Sequence, residues 1–176
     1  MVYVVVACRA LLALVFLVSA VGKLRGRGAF GAFVAEIRAW RLVPARSVPV
    51  VAGGVVVAEA AVPVLSVVPV SAPFGPLVAG FLVAVFTLGI ALTRRRGVSA
   101  RCACFGRTAT PLGRRHLVRN VLLLGAVGVA LAPVTEPGTA PAVLVAVGSG
   151  ALGALLITTM DEITALFAPL PDAPRS

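Results

Sequence analysis

Apolar runs of about 20 residues recur along this chain, and each can cross a hydrocarbon core of about 30 Å at 1.5 Å per residue. A soluble fold has no use for so many. Hydrophobic residues make up 60% of the sequence and charged residues 12%, against roughly 45–50% and 25% in soluble domains, and the mean hydropathy is +1.07. Five spans can be read: Val2 to Gly22, Val48 to Val68, Leu77 to Thr93, Leu117 to Ala132 and Ala142 to Met160. The third and fourth are short, so the expected fold is all-α, a polytopic membrane helical bundle of four to five transmembrane helices. Prolines punctuate the breaks at Pro44, Pro49, Pro69, Pro73, Pro76, Pro133, Pro137 and Pro141, and Pro63 alone falls inside a span, where it predicts a kink. Residues 1–165 read as one membrane-embedded domain and 166–176 as a disordered tail.

The first span also has the small residues Val18, Ser19 and Ala20 of a signal-peptide cleavage site. No basic stretch precedes its apolar run, however, and Lys23, Arg25 and Arg27 follow it directly, the reverse of a secretory signal. It is expected to be retained.

A net charge of +10 raises nucleic acid as a partner. The basic residues sit at the ends of apolar runs rather than in a stripe on a soluble surface, so the partner they fit is the anionic headgroup layer of a lipid bilayer. Their distribution also predicts orientation. Residues 23–47 carry six Lys and Arg, residues 94–119 carry eight, and residues 69–76 and 133–141 carry none. Five spans put the two basic segments on one side, so the positive-inside rule predicts a multi-pass cell-membrane protein with its N-terminus outside and its C-terminus in the cytoplasm.

The first basic connection is not a plain loop. Phe30, Phe33, Val34, Ile37 and Trp40 share one face of a helix, with Glu36 and Arg38 off it. This is an amphipathic helix that either lies in the membrane interface with Trp40 at headgroup depth or packs that face against the bundle.

Two charges lie within spans. Arg9 is seven residues from the start of the first and Glu59 eleven from the start of the second. The helices run in opposite directions, so at 1.5 Å per residue the two backbone positions lie at nearly matching depths. An unpaired charge there costs at least about 2.5 kcal/mol. An Arg9–Glu59 ion pair is therefore expected, either fixing helix register or giving Glu59 a role as a proton or substrate site. Neighbouring Cys8 reads as a small buried hydrophobe.

The remaining cysteines, Cys102 and Cys104, stand one residue apart within the densest run of arginine. Arg101 and Arg107 flank them, and nearby cations favour the reactive thiolate. A disulfide closed across one residue is tight, and strained bridges are the labile, catalytic ones. A metal site is the rival reading, but Cys102, Cys104 and His116 offer three ligands where structural zinc takes four. Redox chemistry is the preferred reading, inert loop cysteines the alternative, and no metal is assigned.

In combination, "SAVGKLR", "FGAFVAEIRAWRLVP", "VVVAEAAVPVL" with its internal glutamate, and "RCACFGRTATPLGRRHLVRNVLLL" resemble the methylamine utilisation protein MauE family, itself similar to DoxX-like membrane proteins. The resemblance runs over about residues 5–135, and the C-x-C-F-G element is its most specific part. It implies a redox-associated membrane protein working with a thioredoxin-like partner, as in disulfide formation for methylamine dehydrogenase in the namesake system. The family's motif cysteines match Cys102 and Cys104, and its membrane glutamate matches Glu59. Oxidative folding belongs outside the cytoplasm, whereas the charge count puts this pair inside, so thiol–disulfide oxidoreductase activity is expected with either direction of electron flow. A quinone would serve as electron donor or acceptor, although no residue marks a site for it. The alternatives are a noncatalytic membrane scaffold or assembly factor, and a small transporter using Arg9 and Glu59.

Overall fold

The computed structural model describes residues 1–26, 28–68, 71–96, 101–102, 110–111, 114–134 and 138–166. Its elements are α1 (Val2–Leu24), α2 (Ala29–Ala39), α3 (Val48–Val67), α4 (Phe74–Arg95), β1 (Arg101–Cys102), β2 (Thr110–Pro111), α5 (Arg114–Ala130) and α6 (Ala140–Leu166). Among the described residues four helices are long and apolar enough to cross a membrane, namely α1, α3, α4 and Ala140–Met160 of α6, and Leu117–Ala130 is a shorter apolar helix. The four stand where the first, second, third and fifth spans were expected, the shorter helix stands where the fourth was, and the fold is the expected helical membrane bundle. The tail beyond 166 lies outside the described residues.

The core is built where α1, α3, α4 and α5 meet, from Leu12, Val15, Phe16, Val62, Ala79, Leu82, Val83, Leu123 and Val127. Large apolar side chains on the opposite faces, among them Val50, Val57, Val64, Phe81, Leu88, Leu122 and Leu152, stay exposed. In water that would be an aggregation surface; in a bilayer it is the surface that faces lipid. Cys8 packs against the core cluster, where a small hydrophobe belongs.

Helix α6 packs along α1. The approach is close because Gly150 presents no side chain: a Cβ there would collide with the Ala7 carbonyl oxygen and lie 2.9 Å from Ala10 Cβ. At Gly153 it would lie 2.8 Å from Leu11 Cδ1. Helix α3 runs through Pro63 to Val67 without interruption. The ring supplies no N–H to the carbonyl four residues earlier, which is that of Glu59.

Three contacts identify the two ends of the bundle. Tyr3 Oη lies 3.5 Å from Thr139 Oγ1, and Arg9 Nε donates to the Ala130 carbonyl at 2.9 Å, so the start of α1, the end of α5 and the start of α6 lie together. At the other end an Arg96 nitrogen donates to the Arg41 carbonyl at 3.2 Å. The connection from α1 to α3 and the end of α4 therefore share one end. That end carries Arg41 of the first arginine-rich segment and Arg94, Arg95 and Arg96 of the second.

Between α1 and α3 the chain turns at Gly26, whose φ of +98° is left-handed and open to glycine at little cost. It then forms α2. Phe33 and Ile37 are buried against Val48, Ala52 and Val56 of α3, with Phe30, Val34 and Phe86 alongside. Of the two roles open to this amphipathic helix, its apolar face takes the second and packs against the bundle. Arg41 follows at φ 52°, a left-handed residue just past the helix end. Trp40 is buried, meets Phe86 edge to face at 6.1 Å, and lies against Gly89, where a Cβ would come within 2.9 Å of the indole.

Candidate functional site

The sequence points to Glu59 and to the cysteine pair, and the structure treats them differently. Glu59 is 1% exposed, and its partner is Lys23, not Arg9. Lys23 Nζ donates to Glu59 Oε1 at 2.6 Å, to Oε2 at 2.9 Å and to Ser19 Oγ at 2.7 Å. These three acceptors match the three N–H bonds of an ammonium. Ser19 Oγ in turn donates to Glu59 Oε1 at 3.0 Å. The Lys23 ammonium also stands 4.7 Å from the centre of the Phe33 ring, a cation–π contact through which α2 covers the pair.

The expected Arg9–Glu59 pair is thus corrected, and side-chain direction explains why. In a helix the Cα–Cβ bond leans toward the N-terminus. Helices α1 and α3 are antiparallel neighbours, so Lys23 leans into the bundle while Glu59 leans toward the basic end, and the two converge. Arg9 leans the other way. It finds the carbonyl of Ala130, the last residue of α5, where a helix leaves acceptors unpaired and its dipole is negative.

Ser19 and Lys23 were legible as four residues apart, hence on one face of α1. Taken only as a cytoplasmic anchor, Lys23 hid its other role. The arrangement does not make Ser19 a nucleophile with Lys23 as its base: the ammonium spends its donors on the carboxylate and the hydroxyl, and the hydroxyl proton is turned to Glu59.

A cavity adjoins the cluster, lined by Phe16 of α1, Glu59 of α3, Val83, Phe86 and Ile90 of α4, and Arg119, Asn120 and Leu123 of α5. Arg119 and Asn120 are buried. Asn120 Nδ2 donates to Thr87 Oγ1 at 2.8 Å, tying α5 to α4. These are the two residues after "HLV" in the stretch that follows the cysteines.

Those cysteines lie between the two helices that form much of the cavity wall. Residues Arg101–Cys102 pair antiparallel with Thr110–Pro111, with Arg101 opposite Pro111 and Cys102 opposite Thr110. Cys104 and Arg107 lie outside the described residues, and His116 falls in the first turn of α5.

The family model for methylamine utilisation protein MauE matches residues 1–133. This chain belongs to the MauE family. The match takes in the whole of α1 to α5, and with them the Lys23–Glu59 pair, the cavity, Cys102 and Cys104, while α6 lies beyond it. The MauE family thereby ties the chain to a membrane protein of methylamine utilisation. No curated protein and no solved structure matches the chain.

Proposed function

We propose that this MauE-family protein is a membrane thiol–disulfide exchange component, with Cys102 and Cys104 as its redox pair and a thioredoxin-like protein as its partner. The observation that carries the reading is the Cys-x-Cys element among arginines, within the family match and between α4 and α5 in the chain. A thiolate of one cysteine attacks the partner's disulfide, releasing one partner thiolate and forming a mixed disulfide. The second cysteine then displaces the other partner thiolate and closes the Cys102–Cys104 bridge. Two electrons have passed to the partner, and the same steps reversed oxidise it. Arg101 and Arg107 favour the attacking thiolate, and the strain of a bridge across one residue keeps the oxidised form labile.

The charge asymmetry supports a cytoplasmic position for this pair in the cell membrane, with the N-terminus on the opposite side. The pair then exchanges with a cytoplasmic thioredoxin-like protein, in support of an exported protein's maturation.

The test is a Cys104→Ser chain in native membranes. A mixed disulfide through Cys102 to a thioredoxin-like protein is expected, released by dithiothreitol and absent when both cysteines are replaced. If the doubly substituted chain still sustains maturation of the exported protein, the cysteines are incidental and the scaffold reading replaces this one.

A further inference from the structure

We propose that the cavity between α1, α3, α4 and α5 binds a water molecule between Glu59, Arg119 and Asn120, and that Glu59 exchanges protons with the basic end of the bundle through it. This goes beyond the cysteine chemistry and is independent of it.

The carboxylate has capacity to spare. Oε1 accepts from both Lys23 and Ser19, whereas among the described residues Oε2 accepts from Lys23 alone, and an ionised carboxylate offers about four lone-pair sites. Glu59 also lines the cavity, together with Arg119 and Asn120. A buried water needs two to four polar partners and space for about one probe sphere. The cavity supplies an acceptor, a donor and an amide held in place by Thr87, and it is of water size rather than ligand size. Its other walls are Phe16, Val83, Phe86, Ile90 and Leu123, which offer a water no competing partner and hold it at the polar corner.

The position suits a route to the surface. Arg119 is five residues into α5 and Ile90 five residues from the end of α4, so the cavity lies in the half of the bundle nearer the arginine-rich end. Phe86 is half-buried while the other lining residues are buried, which makes its side the thin wall. The charged groups around Glu59 are Lys23 from α1 and Arg119 from α5; Glu36 of α2 acts on Lys23. Helix α4 contributes the Thr87 hydroxyl through Asn120. When Glu59 takes a proton, Lys23 loses its counter-charge. Because Lys23 stands one residue from the end of α1, its long stem can then carry the ammonium to headgroup level.

Infrared difference spectroscopy on the full chain in lipid nanodiscs tests this. A pH jump between about pH 4 and 10, spanning the ordinary carboxyl and amine ranges, should raise a protonated-carboxyl band that Glu59→Gln abolishes. Its deuterium shift in D2O should develop roughly tenfold more slowly in Asn120→Leu, as for a path that has lost one ordinary hydrogen-bond partner. In wild-type protein a bound-water O–H band should shift in H2(18)O together with the carboxyl band. The absence of any protonated-carboxyl band in the wild-type protein, or of that water band, overturns the proposal, and neither of these readouts depends on a variant that must fold; a carboxyl band that persists unchanged in a folded Glu59→Gln protein overturns it too. Equal exchange rates in a folded Asn120→Leu protein overturn it as well. A chain carrying Cys102→Ser and Cys104→Ser should give the same spectra, which separates this outcome from that of the thiol reading.

Discussion

Lys23 and Glu59 meet at 2.6 Å although Lys23 is one residue from the end of α1 and Glu59 eleven residues into α3. The contact is made by side chains that lean toward one another from antiparallel helices, in a setting with few other polar groups. Breaking a buried ion pair by removing one partner typically costs about 3–5 kcal/mol, because the other is left uncompensated. Lys23→Met and Glu59→Leu should each lower unfolding stability in detergent by that order, and the double variant should recover much of the loss. Arg9→Leu combined with Glu59→Leu should instead be additive to within about 0.5 kcal/mol, as for independent sites. Strong coupling in the Arg9 cycle and none in the Lys23 cycle would reverse the assignment.

Gly150 sets the distance between α1 and α6. A Val there would drive its Cβ into the Ala7 carbonyl, with Leu11 N at 3.0 Å, and helix backbones cannot give as a side-chain tip can. Overpacking of this kind costs about 1–3 kcal/mol or more. Gly148 has open space where a Cβ would stand, so Gly148→Val serves as the control. Thermal unfolding should separate the two, with Gly150→Val clearly the less stable; equal midpoints would mean that α6 is not seated on α1 as described.

The sequence contains a single tryptophan, and Trp40 is 6% exposed. Its emission therefore reports the docking of α2 directly. Gly89→Val should push the indole off α4, shifting emission to the red and admitting an aqueous quencher, while Gly31→Val, in open space on α2, should leave emission unchanged. A buried-type spectrum in Gly89→Val would contradict the contact.

Sidedness rests on the basic residues of 23–47 and 94–119 against none in 69–76 and 133–141. A membrane-impermeant thiol reagent should spare Cys102 and Cys104 in intact cells and label them in inverted vesicles. Efficient labelling from outside the cell would invert the proposed orientation.

The spans were legible because length and apolarity alone decide what crosses a bilayer, and the starts of α3 and α6 fall beside Pro49 and Pro141, as their residues foretold. The polar cluster was not. Counting depth by Cα position matched Arg9 with Glu59 and left Lys23 to the loop, since depth along an axis ignores which way a side chain leans. The apolar face of α2 was readable from Phe30, Phe33, Val34 and Ile37, but not its destination, because lipid and a bundle wall reward the same pattern. Asn120 carried no periodic signal, and its role emerges only where α5 meets Thr87 of α4.

Arg9 donates to the carbonyl of a residue 121 positions later in the chain, and this has a consequence for biogenesis. While the chain is being made, α1 enters the membrane before α3 to α6, yet the acceptor for its guanidinium is synthesised only with the last residue of α5, and the glycine face of α6 that covers α1 comes later still. Until then the arginine must be served by water or lipid. Helix α1 thus precedes the rest of the bundle and is among the last to settle, and a nascent chain halted before Ala130 holds an α1 whose deep charge has yet to reach its native acceptor.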